Sequence, residues 1–228
     1  RKEDLLKKIR TEDIHHPETG LLCLENALSD GTVMTLEEMK ELYETAHEHN
    51  IPVHLDGARI FNAAIYLNVE AKEIAKYTDS VMFCVSKGLC SPVGSLLCGS
   101  EEFIRKARKM RKILGGGMRQ AGFLAACGII SIEKMVDRLK EDHDNAKYLA
   151  EKLNEIEGFS VDLDKVQINM VFCNVSRENF DFDHFAKKLL EKGIKTNPGY
   201  DGVIRFVTNK DVTREDIDYT IQCIKEVL

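Results

Sequence analysis

Residues 79–86, DSVMFCVS, form an apolar run too short for a helix, with Asp79 in front and Ser86-Lys87-Gly88 behind. Such a run reads as a strand buried on both faces, which occurs where helices cover a parallel sheet. The preceding residues support that geometry. LLCLE (21–25) is a second short apolar run. In TLEEMKELYETAHEHN (35–50), Thr35 and Glu38 have capping-box spacing, and Leu36, Met39, Leu42, Tyr43 and Ala46 recur at three and four residues to give one apolar stripe. Pro52 precedes VHL, a strand that stops at Asp56-Gly57, and ARIFNAAIYL and VEAKEIAKY are helical by the same spacing. This alternation predicts an α/β fold with a mostly parallel sheet and helices on both faces.

Further along, GSLLC reads as a strand and SEEFIRKARKMRKIL as a basic helix closed by Gly115-Gly116-Gly117. Met118 to about Ile156 stays helical, as two helices or one bent one. After Gly158 the pattern changes. FSVD, INMVFCNV, IKTN and VIRFVT read as strands, and DFDHFAKKLLEKG and TREDIDYTIQCIKEVL as helices, giving a small α+β unit. Two domains are expected, residues 1–140 and 141–228, with a helix at the boundary. The opening RKEDLLKKIR reads as the tail of a helix already under way, without an initiating Met, as in a fragment.

The chain has 228 residues and a formal net charge of −6, which argues against a nucleic-acid surface, where clustered positive charge is needed. No apolar run approaches the roughly 20 residues that span a bilayer, and no signal-peptide pattern opens the chain, so no membrane partner is expected. The seven cysteines are odd in number, and most sit in apolar stretches such as VMFCVS and LAACGII. That is the usage of reduced thiols in a cytoplasmic protein. There is no CxxC pair, and His47 and His49 point to different faces of their helix, so no metal site is expected.

Three features can carry chemistry. Asp56 ends a short strand and precedes a glycine; it either caps the next helix or faces the crevice at the strand ends, where open α/β sheets bind ligands. Lys87 ends an apolar strand; it is either a solvated rim lysine or a partly desolvated amine that can attack a carbonyl. GGGMRQ (115–120) is either a flexible turn or a glycine run opening a helix that offers N–H groups and Arg119 to an anion. It lacks the spacing of a P-loop or of a dinucleotide fingerprint. Taken together, an aspartate at one strand end and a lysine at another form the layout that pyridoxal-phosphate enzymes need. The lysine binds the cofactor aldehyde and the carboxylate pairs with the protonated ring nitrogen.

HLDGARIFNAA, DSVMFCVSKGLCSPVGSLLCG and RKILGGGMRQAGFLAACGI, in that order, closely resemble the low-specificity L-threonine aldolases. These belong to the aspartate-aminotransferase-like, fold-type-I pyridoxal-phosphate enzymes. The resemblance extends over DIHHPETGLLCLEN and VIRFVTNKDVTREDID. It implies a pyridoxal 5'-phosphate cofactor, a large cofactor domain with a small C-terminal domain, and a small β-hydroxy-α-amino acid as substrate. It also implies a homotetramer with sites at dimer interfaces.

On this resemblance Lys87 is the lysine that holds the cofactor and Asp56 the partner of its ring nitrogen. Arg59 helps fix cofactor and substrate carboxylate, and Ser86 touches the phosphate. Arg205, in IRFVT, clamps the substrate carboxylate, which suits a bidentate fork. Lys112 and Arg119 flank the triple glycine, Lys112 toward substrate and Arg119 toward cofactor. His15, or its neighbour His16, resembles the histidine near the substrate β-hydroxyl, where it would act as the base.

Two departures stand out. Many members read ENTHN where this chain has Glu25-Asn26-Ala27-Leu28-Ser29. The family's N-terminal third, which supplies a Gly/Ser/Thr phosphate turn and a stacked histidine, is missing. The expected activity is cleavage of L-threonine or L-allo-threonine to glycine and acetaldehyde. Another fold-type-I lyase or transferase, such as a β-eliminating enzyme, and a non-catalytic scaffold remain alternatives.

Overall fold

A computed structural model describes residues 1–228 and divides them into two units. The first comprises Arg1–Leu28 and Val33–Asp137, the second Ser29–Thr32 and Arg138–Leu228. In chain order the first unit holds α1 (Lys2–Leu6), β1 (Leu22–Glu25), α2 (Leu36–Glu48), β2 (Val53–Asp56), α3 (Ile60–Leu67), α4 (Ala71–Ala75), β3 (Ser80–Cys84), β4 (Ser95–Gly99), α5 (Glu101–Ile113) and α6 (Gly122–Lys134). Its sheet runs β1-β2-β3-β4; the first three strands are parallel and β4 is antiparallel to β3.

The period-two rule sorts the side chains of this sheet. Val53 and Leu55 are wholly buried, and Val53 joins Leu5, Leu42, Ala46 and Ile51 in the core beneath α2. Phe83 meets Phe61 of α3 edge to face, with ring centroids 5.4 Å apart, so it shares that side. His54 and Asp56 therefore point to the opposite face, where the His54 ring bonds the Ser80 hydroxyl at 2.8 Å. On that face Gly99, in register with Ser80, is closed over by the Phe103 ring of α5. Helices thus lie on both faces. Thr35 and Glu38 complete the capping box of α2, with bonds of 2.8 and 3.2 Å.

Burial of β3 is less complete than its sequence predicts. Ser80 and Val81 are buried, but Met82, Phe83 and Cys84 are partly open, and every residue of β4 is exposed. The cause is position. β4 is an edge strand, and α5, with no buried residue of its own, covers little of it.

The second unit holds α7 (Leu139–Asn154), β5 (Phe159–Ser160), β6 (Met170–Val175), α8 (Phe182–Glu191), β7 (Val203–Val207) and α9 (Arg214–Val227). Its antiparallel sheet runs β5-β6-β7, and Val171, Cys173, Ile204 and Phe206 form one core with Leu149, Leu153, Phe185, Leu189, Ile217 and Ile221 of the helices. α6 and α7 are separate helices. Thr213 and Asp216 cap α9 as Thr35 and Glu38 cap α2.

IKTN (194–197) is not a strand, contrary to the pattern reading. Tyr200 and Val203 exchange both backbone bonds (2.9 and 3.0 Å) across an Asp201-Gly202 turn. Continuing that ladder by one hydrogen-bonded pair would set Pro198 opposite Arg205. Proline has no N–H to donate there, so pairing stops and the outer edge of β7 stays open.

His143, on α7, is 6% exposed, and burial, aided by the Lys147 charge against that of Asp144, lowers its pKa to about 4. The neutral ring is the form that folds. The unfolded chain binds the extra proton between pH 6.5 and about 4, so stability falls as pH drops through that window, by up to about 3 kcal/mol. Asp142 acts oppositely, because burial raises its pKa and favours its protonated form in the folded chain. His143→Gln is therefore expected to flatten the pH dependence of the urea midpoint over this window. An unchanged slope would refute the assignment.

Candidate functional site

Parallel pairing brings the C-terminal ends of β1, β2 and β3 to one edge of the sheet. Glu25 stands in register with Asp56, and Asp56 with Met82. The Gly57 amide donates to the Met82 carbonyl at 2.8 Å, so the turn after β2 is stitched to β3. Asp56 is exposed, and its Oδ1 accepts the Ala58 amide at 3.0 Å. The next helix begins at Arg59, which caps α3 by backbone only. Asp56 therefore shapes the turn but is not the cap. Arg59 is half-buried beside it.

Beyond β3 the chain makes a tight excursion. The Val85 amide donates to the Gly94 carbonyl (3.1 Å), the Ser91 amide to the Val85 carbonyl (2.9 Å) and the Cys90 amide to the Lys87 carbonyl (2.9 Å). Gly88 and Leu89 are buried, while Ser86 and Lys87 are exposed at the turn. Lys87 makes no ion pair. Ser91, just after Lys87 in the same turn, buries a hydroxyl that has no hydrogen-bond partner.

The glycine run decides between two open readings. Gly115 (φ +86°) terminates α5, and α6 begins only at Gly122, so the run closes a helix and does not open one. The glycines matter for a different reason. The stem of Lys112 lies across Gly117, where a Cβ would collide with it. Lys112 and Arg119 are both exposed.

His15 lies in the exposed segment between α1 and β1, with its amide bonded to Asp13 Oδ1 (2.8 Å). His16 is partly buried, and its Nδ1 has no partner. No hydrogen bond or ion pair joins His15, Lys112 or Arg119 to Asp56 or Lys87.

Arg205 belongs to the second unit. It is exposed on β7 in register with Phe172 and lines a cavity of about 580 Å³ with Lys195, Thr196, Asn197 and Tyr219. Two features near it escape sequence reading. Gly31 (φ +86°) lies within van der Waals reach of Met170 and Phe172, so the Ser29–Thr32 loop packs on the Arg205 face of the sheet. Asp30-Gly31 signals a turn, but nothing in the sequence says where it docks. Thr208, which follows β7, is wholly buried and bonded to Asp142 and Asn169, residues far away in the chain.

A family model described as beta-eliminating lyase matches residues 1–176. The low specificity L-threonine aldolase of Escherichia coli is 44% identical over 210 residues, covering 92% of this chain and 61% of that protein. Low-specificity L-threonine aldolase 1 of Arabidopsis thaliana is 40% identical over 216 residues, covering 93% and 60%. The chain thus spans about three fifths of the length of these relatives. A solved threonine aldolase from Leishmania major superposes with a TM-score of 0.75 at 20% identity, covering 99% of this chain and 66% of that one. A pyridoxal-phosphate-dependent aminotransferase from Streptococcus suis gives 0.76 at 18%, covering 99% and 60%. At such identities the superpositions establish the fold.

The turn that carries Asp56 has no spare room. A Cβ on Gly57 would stand 2.8 Å from the Met82 carbonyl oxygen and 3.1 Å from Val81 Cγ2. Gly57→Ala is expected to destabilise the first unit by about 1–3 kcal/mol, through strain against backbone that cannot yield. Thermal melts of the variant check this, and an unshifted midpoint would show the turn to be loose.

Proposed function

The chain belongs to the beta-eliminating lyase family, and we propose that the complete protein cleaves L-threonine and L-allo-threonine to glycine and acetaldehyde with pyridoxal 5'-phosphate. One observation carries the reading. A parallel strand pair presents the Asp56 carboxylate at its C-terminal edge, and the strand beside it runs directly into the exposed Lys87 turn. The identity to aldolases of known type over most of this chain supports it.

The residues fit the cofactor. Asp56 is an exposed carboxylate, with one oxygen on Ala58, that suits a protonated ring nitrogen. Lys87 is unpaired, and the buried Ser91 hydroxyl within its turn has hydrogen-bonding capacity to spare. When bound, the cofactor supplies an electron sink for bond breaking at the substrate Cα. In this reading Lys87 holds it covalently, Asp56 keeps the ring nitrogen protonated, and Ser86 and Arg119 meet its phosphate.

Arg205 and Arg59 bind the substrate carboxylate; a guanidinium fork fixes a planar anion in two directions and so orients the Cα–Cβ bond. Lys112 adds positive charge on the substrate side. His15 accepts the β-hydroxyl proton at its imidazole, directly or through a water. Residues 1–140 serve as the C-terminal part of a cofactor domain and 141–228 as the small domain. Seven cysteines, none in a disulfide, favour a cytoplasmic setting, and no helix is long and apolar enough to cross a membrane. Phe123 and Leu114, 90% and 81% exposed, are apolar surface suited to a homotetramer with sites at dimer interfaces.

Full-length protein supplied with pyridoxal 5'-phosphate is expected to release acetaldehyde and glycine from L-threonine. Pyruvate and ammonia from serine or cysteine, without acetaldehyde from threonine, would favour β-elimination, the chemistry for which the family model is named. His15→Asn is expected to lower kcat about a hundredfold or more, and an unchanged turnover number would remove His15 from the mechanism.

A further inference from the structure

Arg205 sits on a strand with one open edge, yet the end of that strand is held unusually firmly. Every polar group of Thr208 is engaged. Its amide donates to the Asn169 carbonyl (3.1 Å), its hydroxyl donates to the Asp142 carbonyl (2.6 Å), and its own carbonyl accepts the Asn169 side-chain amide (2.7 Å). Thr208, Asn169 and Asp142 are 1%, 3% and 0% exposed. Asp142 is itself anchored, since its carboxylate accepts two bonds from Arg138, at 2.5 and 3.2 Å. At its other end β7 is tied by the reciprocal Tyr200–Val203 pair. Arg205 lies between the two ties.

Packing alone does not call for a hydroxyl at position 208. Valine has nearly the same shape, and a buried hydroxyl costs stability unless it is bonded. What the hydroxyl adds is a link from β7 to α7 that no apolar side chain provides. A fork that grips a carboxylate through two parallel bonds loses much of its hold when its base shifts by a fraction of an ångström. We propose that Thr208, acting through Asp142 and Asn169, is a positioning residue that sets the direction of the Arg205 guanidinium toward a substrate carboxylate. The proposal rests on the functional reading given above.

The test uses the full-length enzyme loaded with pyridoxal 5'-phosphate and assayed with L-threonine. Thr208→Val removes only the hydroxyl and keeps both backbone bonds. It is expected to raise KM about five- to tenfold with kcat within about twofold, the loss of one buried hydrogen bond felt in binding. Thr208→Ser is expected to restore KM. In an Arg205→Lys background, which raises KM by itself, Thr208→Val is expected to add nothing further, because the residue acts through the arginine it would otherwise align. Equal factors in both backgrounds, or an unchanged KM for Thr208→Val, would overturn the proposal. Should that variant fail to fold, Arg138→Lys loosens the same anchor more gently and is expected to give a smaller rise in KM alone; a fall in kcat without a change in KM would count against the proposal. If the wild type does not cleave threonine, the functional reading fails and the proposal with it. If the wild type is active and KM is indifferent to Thr208, only the positioning role is lost.

Discussion

The hydrogen bond from the Gly57 amide to the Met82 carbonyl is the joint on which the candidate site depends. It extends the parallel β2–β3 ladder one residue past the strand end, so Asp56 and the start of the Lys87 excursion leave the sheet at the same edge. Neither residue carries chemistry alone. An exposed carboxylate and an exposed amine are ordinary surface groups until a parallel crossover brings them to one rim. Gly57 is the residue that permits this, because any larger side chain would meet Met82 and Val81.

The second unit obeys a different constraint. Its sheet is antiparallel and short, its core is supplied by α7, α8 and α9, and Arg205 points away from that core. Pro198 keeps one edge of β7 from pairing, so besides its ladder with β6 the strand is held at its ends, at the Tyr200–Val203 turn and at Thr208. Rigidity near Arg205 thus comes from the β6 ladder along one edge and from the buried polar bonds of Thr208 at the strand end.

Much of this was legible in the sequence because the relevant signals are local. The capping boxes at Thr35 and Thr213, the apolar stripe of α2 and the short runs that became β1, β2 and β3 depend only on neighbours within a few residues. Asp56 and Lys87 stood out because strand ends can be read from where apolar runs stop. What was misread or left open turned on distance, register or backbone conformation. IKTN has strand composition, but the position of Pro198 against Arg205 emerges only once Tyr200 and Val203 are paired. The glycine run at 115–117 was as compatible with opening a helix as with closing one, and the left-handed backbone at Gly115 settled the matter. The Thr208 clamp joins residues 66 and 39 positions apart, beyond any periodicity.

The central claim is that one amine and one carboxylate serve the same cofactor ring. Borohydride reduction of the full-length protein in the presence of pyridoxal 5'-phosphate, followed by peptide mapping, tests it most directly. The account predicts the reduced cofactor on the peptide containing Lys87, with labelling sharply weakened by Asp56→Ala. Label on another lysine, or labelling of Lys87 indifferent to Asp56, would contradict it.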